Sequence, residues 1–479
     1  MKLPLVLASA LSLAAVGTAL AAPAPPPTPA AAATAPKIPA LSLPYTRYEL
    51  PNGLTVILHE DHTEPLCVVH VGYQVGSRDE RAGRTGFAHL FEHLMFMGTQ
   101  RVPVKMFDEW MERQGGWNNA QTSEDRTVFF DVAPIHALPL LLWMEADRLA
   151  VLGQQIDDPK LDTQRDVVRN ERRDQIENQP YGKVELRLPE LLFPPSHPYH
   201  HPVIGSHADL EAATVQDVRD FFGQWYSPSN AILTVAGDFE PGAVRALIAR
   251  YFAGIPAAPR PARGQAPSEP PRLSSVVRET MEDQVSLPQV VMAWPTPALY
   301  APGDADLDLL AAVASSGKAS RLYKALVYDK KLAQSVEAHQ GSMGLCSSFQ
   351  LQATARKDVS LDDLERAIDV ELARLRAEPV SAAELSRAQI QYETHFSSGL
   401  QSLNERAMIL SNYQASVGNP GFLGEDLGRY QRATPATVRA AAQRYLEPGG
   451  RVILRIVPKA APAEAGAKPA EAAPNGRTP

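Results

Sequence analysis

Cysteine is almost absent: the 479-residue chain has two, Cys67 and Cys346. A disulfide framework is therefore excluded as the main source of stability. The two lie in strand-like apolar runs in different halves of the chain and read as buried thiols rather than as a bridge. Long runs of one charge are also missing. The net charge of −8 comes from 46 basic and 54 acidic residues spread along the chain. No basic stripe is left for nucleic acid. Beyond residue 21 no segment approaches the roughly 20 apolar residues that a spanning helix needs. No cysteine stands near that point to carry a lipid.

The first 21 residues, "MKLPLVLASALSLAAVGTALA", are the exception. One lysine precedes an apolar run that closes on small residues, Ala19-Leu20-Ala21. This is the pattern of a secretory signal cut after Ala21. The run is short for a membrane anchor, and no basic stop-transfer cluster follows. The expectation is an exported protein without stable membrane insertion, periplasmic or secreted.

The length exceeds one ordinary core, and 44% apolar residues suffice to fill more than one. Residues 22–44 hold eight prolines among alanines and read as an extended lead-in. Residues 254–271 hold six more and read as an interdomain linker. Residues 458–479, again rich in Ala and Pro, read as a disordered tail. Two domains remain, 45–253 and 272–457.

In the first domain, Asn52-Gly53 between alternating apolar residues signals a hairpin. "LCVVHVGYQV" reads as a strand. Helices are expected near 85–97, 104–114, 135–151, 159–177, 214–226 and 240–252. A β-like stretch, "WNNAQTSEDRTVFFDVA", lies between the second and third helices, and a strand at 231–237. No element is assigned between 178 and 213. The second domain repeats the order loosely. Strands fall near 274–282, 288–295, 333–340 and 345–355, helices near 304–316, 319–328 and through 360–446, and "RVILRIV" closes the domain. The fold class is α+β, with two related domains, each an antiparallel-rich sheet packed with helices.

The string "GFAHLFEHLMF", residues 86–96, carries the chemistry. On a helix, residues four apart share a face, so His89 and His93 aim two imidazoles at one point. Glu92 sits beside that point. Three ionisable groups in an apolar helix are costly to bury without compensation. A bound cation removes the cost, and two histidines with a neighbouring carboxylate suit zinc and the activation of water. H-x-x-E-H is the inverted form of a known zinc-peptidase motif. A tetrahedral catalytic zinc wants a third protein ligand. Glu171 is the candidate, on a helical face shared with Gln164, Val168 and Gln175.

Other histidines and charges have blander readings. His59, His62 and His70 are expected to face solvent or satisfy local bonds. "HPYHH", residues 197–201, reads as a polar loop, since adjacent His200 and His201 do not converge. Arg148 in "MEADRL" reads as a structural ion-pair partner, and the charges of "ERRD" around Glu171 as facing solvent or the other domain.

Four stretches, "GSRDERAGRTGFAHLFEHLMFMGT", "GGWNNAQTSEDRTVFF", "VVRNERRDQIENQPYG" and "SGKASRLYKAL", carry a resemblance over roughly residues 45–457. The chain resembles the pitrilysin, insulinase and mitochondrial processing peptidase family of inverted-motif zinc peptidases. That resemblance implies one zinc per chain on His89, His93 and Glu171, with Glu92 as general base. It implies half of a clamshell whose two halves enclose extended peptides. It implies that Asn119 and Ala120 line a strand edge that pairs with the substrate backbone.

Two positions depart from the family pattern. Seven residues before the third ligand the family usually has a second glutamate that supports the site from behind the ligands; here stands Gln164. The family also carries an arginine and a tyrosine in its second half that steady the oxyanion. In "ALVYDKKLAQSV" Tyr328 and Gln334 stand there instead, and loss of such donors costs about 3 kcal/mol in the barrier. The expectation is a zinc metalloendopeptidase acting on peptides or unfolded segments. Its partner is a related second subunit supplying that pair, in a heterodimer, or a second copy of itself. The alternatives are a proteolytically inactive structural or binding subunit, and a zinc hydrolase of non-peptide substrates.

Overall fold

A computed structural model describes residues 41–264 and 269–459. The expected signal segment, most of the lead-in and nearly all of the tail lie outside the described residues. Among the described residues no helix is long and apolar enough to cross a membrane.

The described residues begin with β1 (Thr46–Glu49), β2 (Thr55–Glu60) and β3 (Leu66–Tyr73). Then come α1 (Phe87–Leu94), α2 (Met106–Arg113), β4 (Trp117–Thr122) and β5 (Thr127–Pro134). Five helices follow: α3 (Leu138–Gln155), α4 (Asp158–Glu171), α5 (Lys183–Leu192), α6 (His207–Glu211) and α7 (Val215–Trp225). β6 (Ala231–Gly237) and α8 (Pro241–Phe252) end this half. The six strands form one sheet in the order β1-β2-β6-β3-β5-β4, with β2 and β6 parallel and the other pairs antiparallel.

The second half has β7 (Val277–Asp283), β8 (Gln289–Thr296), α9 (Asp304–Ser315), β9 (Ala333–Gly341) and β10 (Ser347–Ala355). Again five helices follow, α10 (Leu361–Ala377), α11 (Ala382–Gly399), α12 (Leu403–Val417), α13 (Leu423–Arg432) and α14 (Pro435–Tyr445), and then β11 (Val452–Pro458). Its sheet runs β7-β11-β8-β10-β9, with β7 and β11 parallel and the rest antiparallel. Replace β2, β6, β3, β5 and β4 by β7, β11, β8, β10 and β9, and one plan becomes the other. The expected duplication of an α+β unit is thus present in strand order and direction.

Both faces of each sheet are covered, which is why β3 and β6 are buried almost throughout and mostly apolar rather than alternating. One face of the first sheet packs Val69, Val71 and Phe129 against its own helices, such as Leu141 and Leu142 of α3. The other face is covered from the second half. Leu410 of α12 meets Ile57 and Ile232, and Ala407 meets Val68 and Ala236. The reverse also holds. Val184, Leu188 and Leu192 of α5 cover Val291, Leu454 and Ile456 of the second sheet. The third helix of each set of five is therefore lent to the other half. α5 escapes sequence reading because Pro189 sits inside it, where proline normally breaks a helix.

Candidate metal centre

The site is assembled on α1. The preceding loop folds back so that Glu80 caps this helix. Its two carboxylate oxygens accept from the amides of Gly86 (2.9 Å) and Ala88 (2.7 Å). They supply partners that a glycine N-cap cannot. Burial holds the Glu80 carboxyl well above the usual range, against those two donors. Gly86 adopts φ +85°, and a Cβ there would lie 2.7 Å from the Ile204 carbonyl oxygen. Only glycine meets both demands. Phe87, Leu90, Phe91 and Leu94 enter the core. That turns His89, Glu92 and His93 to the half-buried side of α1.

Glu171 is the last residue of α4, and the chain then widens into a π-helical turn, Arg172–Glu177. Such turns recur at functional sites. The Glu171 carboxylate meets both imidazoles: Oε2 lies 3.2 Å from His93 Nε2 and 3.8 Å from His89 Nε2. One ligand atom from each residue lies within 4.8 Å of the others, and among the described residues no other His, Cys or acidic group does this. Bonds of about 2.05 Å in a tetrahedral zinc site separate ligands by ~3.4 Å. The observed distances bracket that value, so the donor set fits the ion.

Electrostatics agree with the fit. Burial, with His93 beside it, pushes His89 down to about 4, which keeps its ring neutral and its lone pair free. The buried Nδ1 of His89 has no protein partner. The hydrogen bond with His93 holds the Glu171 carboxyl below its ordinary value despite partial burial. Glu92 goes the other way. Burial raises it, opposed by a hydrogen bond from the Thr122 hydroxyl to its Oε2 (2.5 Å). A base displaced toward neutrality and held in one orientation suits proton transfer.

Thr122 ends β4, which is the edge strand of the first sheet. Asn119 and Ala120 lie on this edge, and the Ala120 amide donates to Asn119 Oδ1 (2.8 Å). Gln164 points its amide at Met97 Sδ (2.8 Å). Tyr328 is 72% exposed in a π-helical turn of the second half, and Gln334 is exposed on β9. A cleft of about 680 Å³ between α5 and the second sheet contains none of His89, Glu92, His93 and Glu171. The metal-type cluster opens instead beside a strand edge.

The remaining expectations resolve individually. His200 Nδ1 lies 2.8 Å from the Phe193 carbonyl and His201 3.6 Å from Glu80, with no convergence between them. Arg148 pairs with buried Glu145 and lies over the rings of Phe96, Phe107 and Phe129. In "ERRD", Arg172 pairs with Glu177. Cys67 and Cys346 are buried free thiols, and burial pushes each up to about 12. His70 requires correction: it neither faces solvent nor finds a bond. It is wholly buried under α12 with both ring nitrogens unpartnered, and burial pushes it down to about 3. Sequence reading also missed Thr122 and Glu80. Both lay within quoted motifs, but no spacing rule ties either to α1.

Known proteins resemble the chain at every level. Residues 55–193 match the family model described as Insulinase (Peptidase family M16), and residues 212–392 match that of the Peptidase M16 inactive domain. Zinc protease PqqE of Helicobacter pylori is 30% identical over 370 residues, 76% of this chain and 82% of that protein. A probable mitochondrial-processing peptidase subunit beta of Arabidopsis thaliana is 25% identical over 416 residues, 85% and 77% of the two chains. The crystal structure of a protease from Helicobacter pylori superposes with a TM-score of 0.80 at 26% identity, covering 87% of this chain and 100% of that one.

Proposed function

The chain belongs to the insulinase family of peptidases, M16, and from that premise we propose that it is a zinc-dependent metalloendopeptidase. Its substrates are peptides or unfolded protein segments held in extended form. One observation carries the reading. His89, His93 and Glu171 converge, with Glu92 beside them tied through Thr122 to an open strand edge. These three residues would hold one zinc ion per chain, which when bound polarises the scissile carbonyl and acidifies water.

The chain's own groups do the rest. The β4 edge at Asn119 and Ala120 pairs with the substrate main chain and fixes the reacting carbonyl in place. Glu92 takes the proton of the attacking water as oxygen adds to that carbonyl. It returns the proton to the amide nitrogen as the C–N bond breaks. Thr122 keeps one Glu92 oxygen turned to the edge. Gln164 packs behind the cluster without the charge of a second carboxylate.

Tyr328 and Gln334 do not supply the family's oxyanion donors. The active form is therefore a dimer enclosing the peptide, with a related second subunit that carries the arginine and tyrosine. The N-terminal segment supports export to the periplasm.

The test is zinc content together with cleavage of a quenched fluorescent peptide by the purified chain, with Glu92→Gln alongside. About one zinc per chain, with activity that disappears in the variant, supports the zinc peptidase and overturns the need for a second subunit's arginine and tyrosine. Zinc without cleavage sends the search to a related chain carrying the missing pair. Neither zinc nor cleavage overturns the reading.

A further inference from the structure

Among the described residues four strands lie at sheet edges: β1, β4, β7 and β9. An edge strand is a template for any passing strand, and proteins blunt it with charge, proline or a bulge. β1 reads TRYE and β7 reads VRETMED, each with charges of both signs. β9 carries Glu337, and its pairing with β10 shifts register at Thr354/Ala355. β4 has none of these devices. It reads WNNAQT, without a charge or a proline, and pairs with β5 in unbroken register from Trp117↔Val132 to Thr122↔Thr127.

The two faces of this open strand differ. Asn118, Ala120 and Thr122 are half-buried on the side where Thr122 reaches Glu92. Trp117, Asn119 and Gln121 are exposed on the other. Trp117 is 51% exposed, and none of the chain's four other tryptophans is exposed. Its indole is braced at one side, edge-on to Phe130 with centroids 5.8 Å apart, and is bare at the other. A rigid aromatic braced in this way offers a large apolar contact at little cost in side-chain entropy.

A peptide added to this edge continues the alternation, so every second side chain falls on the Trp117 face. We propose that Trp117 forms a subsite selecting a bulky apolar or aromatic side chain of the substrate, about five residues along the strand from the one that faces Thr122. The proposal rests on the peptidase reading, since Thr122 and Glu92 mark where the bond is cut. The substrate class it names is an extended peptide with an apolar anchor at a fixed distance from the cleavage point.

Two quenched peptides test this, identical except for Phe or Ala at the anchor position, with cut sites mapped by mass spectrometry. The native chain is expected to prefer the Phe peptide by about tenfold in kcat/KM, chiefly through KM. Trp117→Ala should collapse that ratio to within about twofold, and Trp117→Phe should restore most of it. An unchanged ratio in Trp117→Ala overturns the proposal. If the native chain cuts neither peptide, zinc content separates a missing second subunit from failure of the peptidase reading, and binding to the Glu92→Gln chain decides the subsite separately. There, anisotropy with labelled peptides should show the Phe preference, lost on adding Trp117→Ala. No preference sinks the subsite.

Discussion

The two halves run the same strand plan, and the helix after their second plan strand invites a direct comparison. In the first half α1 carries His89 and His93, four residues apart; in the second, α9 carries Asp304 and Asp308 at the same spacing. Both helices pack on the second helix of the following five, α1 on α4 and α9 on α11. The outcome differs. Asp304 accepts from Ser342 (2.6 Å), the Tyr300 amide (3.0 Å) and Arg429 (3.0 Å), and Asp308 accepts from Tyr430 (2.8 Å). The second half answers its own buried acids with its own donors. The first half brings His89 Nε2, His93 Nε2 and Glu171 Oε2 together at one point. Buried polar groups are normally satisfied. A cluster left open where its twin is closed points to something from outside.

Removing a ligand breaks the symmetry most sharply. His93→Ala should abolish peptide cleavage and lower bound zinc from about one per chain to a trace, read by metal analysis. Asp308→Ala should leave the zinc content as it was. Equal zinc loss in both would refute the contrast.

The lent helices come next. Leu410 is wholly buried against the first sheet, so Leu410→Ala should cost about 2–4 kcal/mol in chemical denaturation. Leu188→Ala on α5 should cost a similar amount. A cost confined to one of the pair would show that the exchange is not reciprocal in energy.

Thr122→Val keeps the shape of the edge strand and deletes its hydrogen bond to Glu92. It should lower kcat about tenfold, equivalent to ~1.4 kcal/mol, with the zinc content kept.

The smallest effect lies in the closed network. Burial, with Asp304 nearby, pushes Asp308 up to about 7, against Tyr430, Tyr392 and Arg429. A raised carboxyl stabilises the fold fully below its ordinary value of 3.8, and that contribution is lost as pH rises through about 7. Asp308→Asn should therefore flatten the decline in Tm from pH 5 to pH 8, gaining on the order of 1 kcal/mol at the upper end. A parallel decline in both proteins would remove Asp308 from the account.

Much of this could be read along the chain because it is local. The spacing of His89, Glu92 and His93 is a property of one helix, and the face bearing Glu171 follows from the same period. The positions of most strands also follow local alternation and turns, but not the insertion of β6 between β2 and β3 or of β11 between β7 and β8. What escaped depends on distant pairings with no periodic signature. Thr122 meets Glu92 across a strand and a helix. Glu80 caps a helix whose own N-cap is glycine. His70 looks like any polar residue in a strand until α12, far along the chain, closes over it. α5 was hidden because local proline chemistry contradicts the tertiary packing that overrides it.

The lent helices also set an order of events in synthesis. When β6 has left the ribosome the first sheet has all its strands, yet one face still shows Ile57, Val68, Ile232 and Ala236 to water. Their cover, α12, starts at Leu403. The N-terminal half therefore cannot ripen as an independent unit, and most of the polypeptide must emerge before either core is sealed.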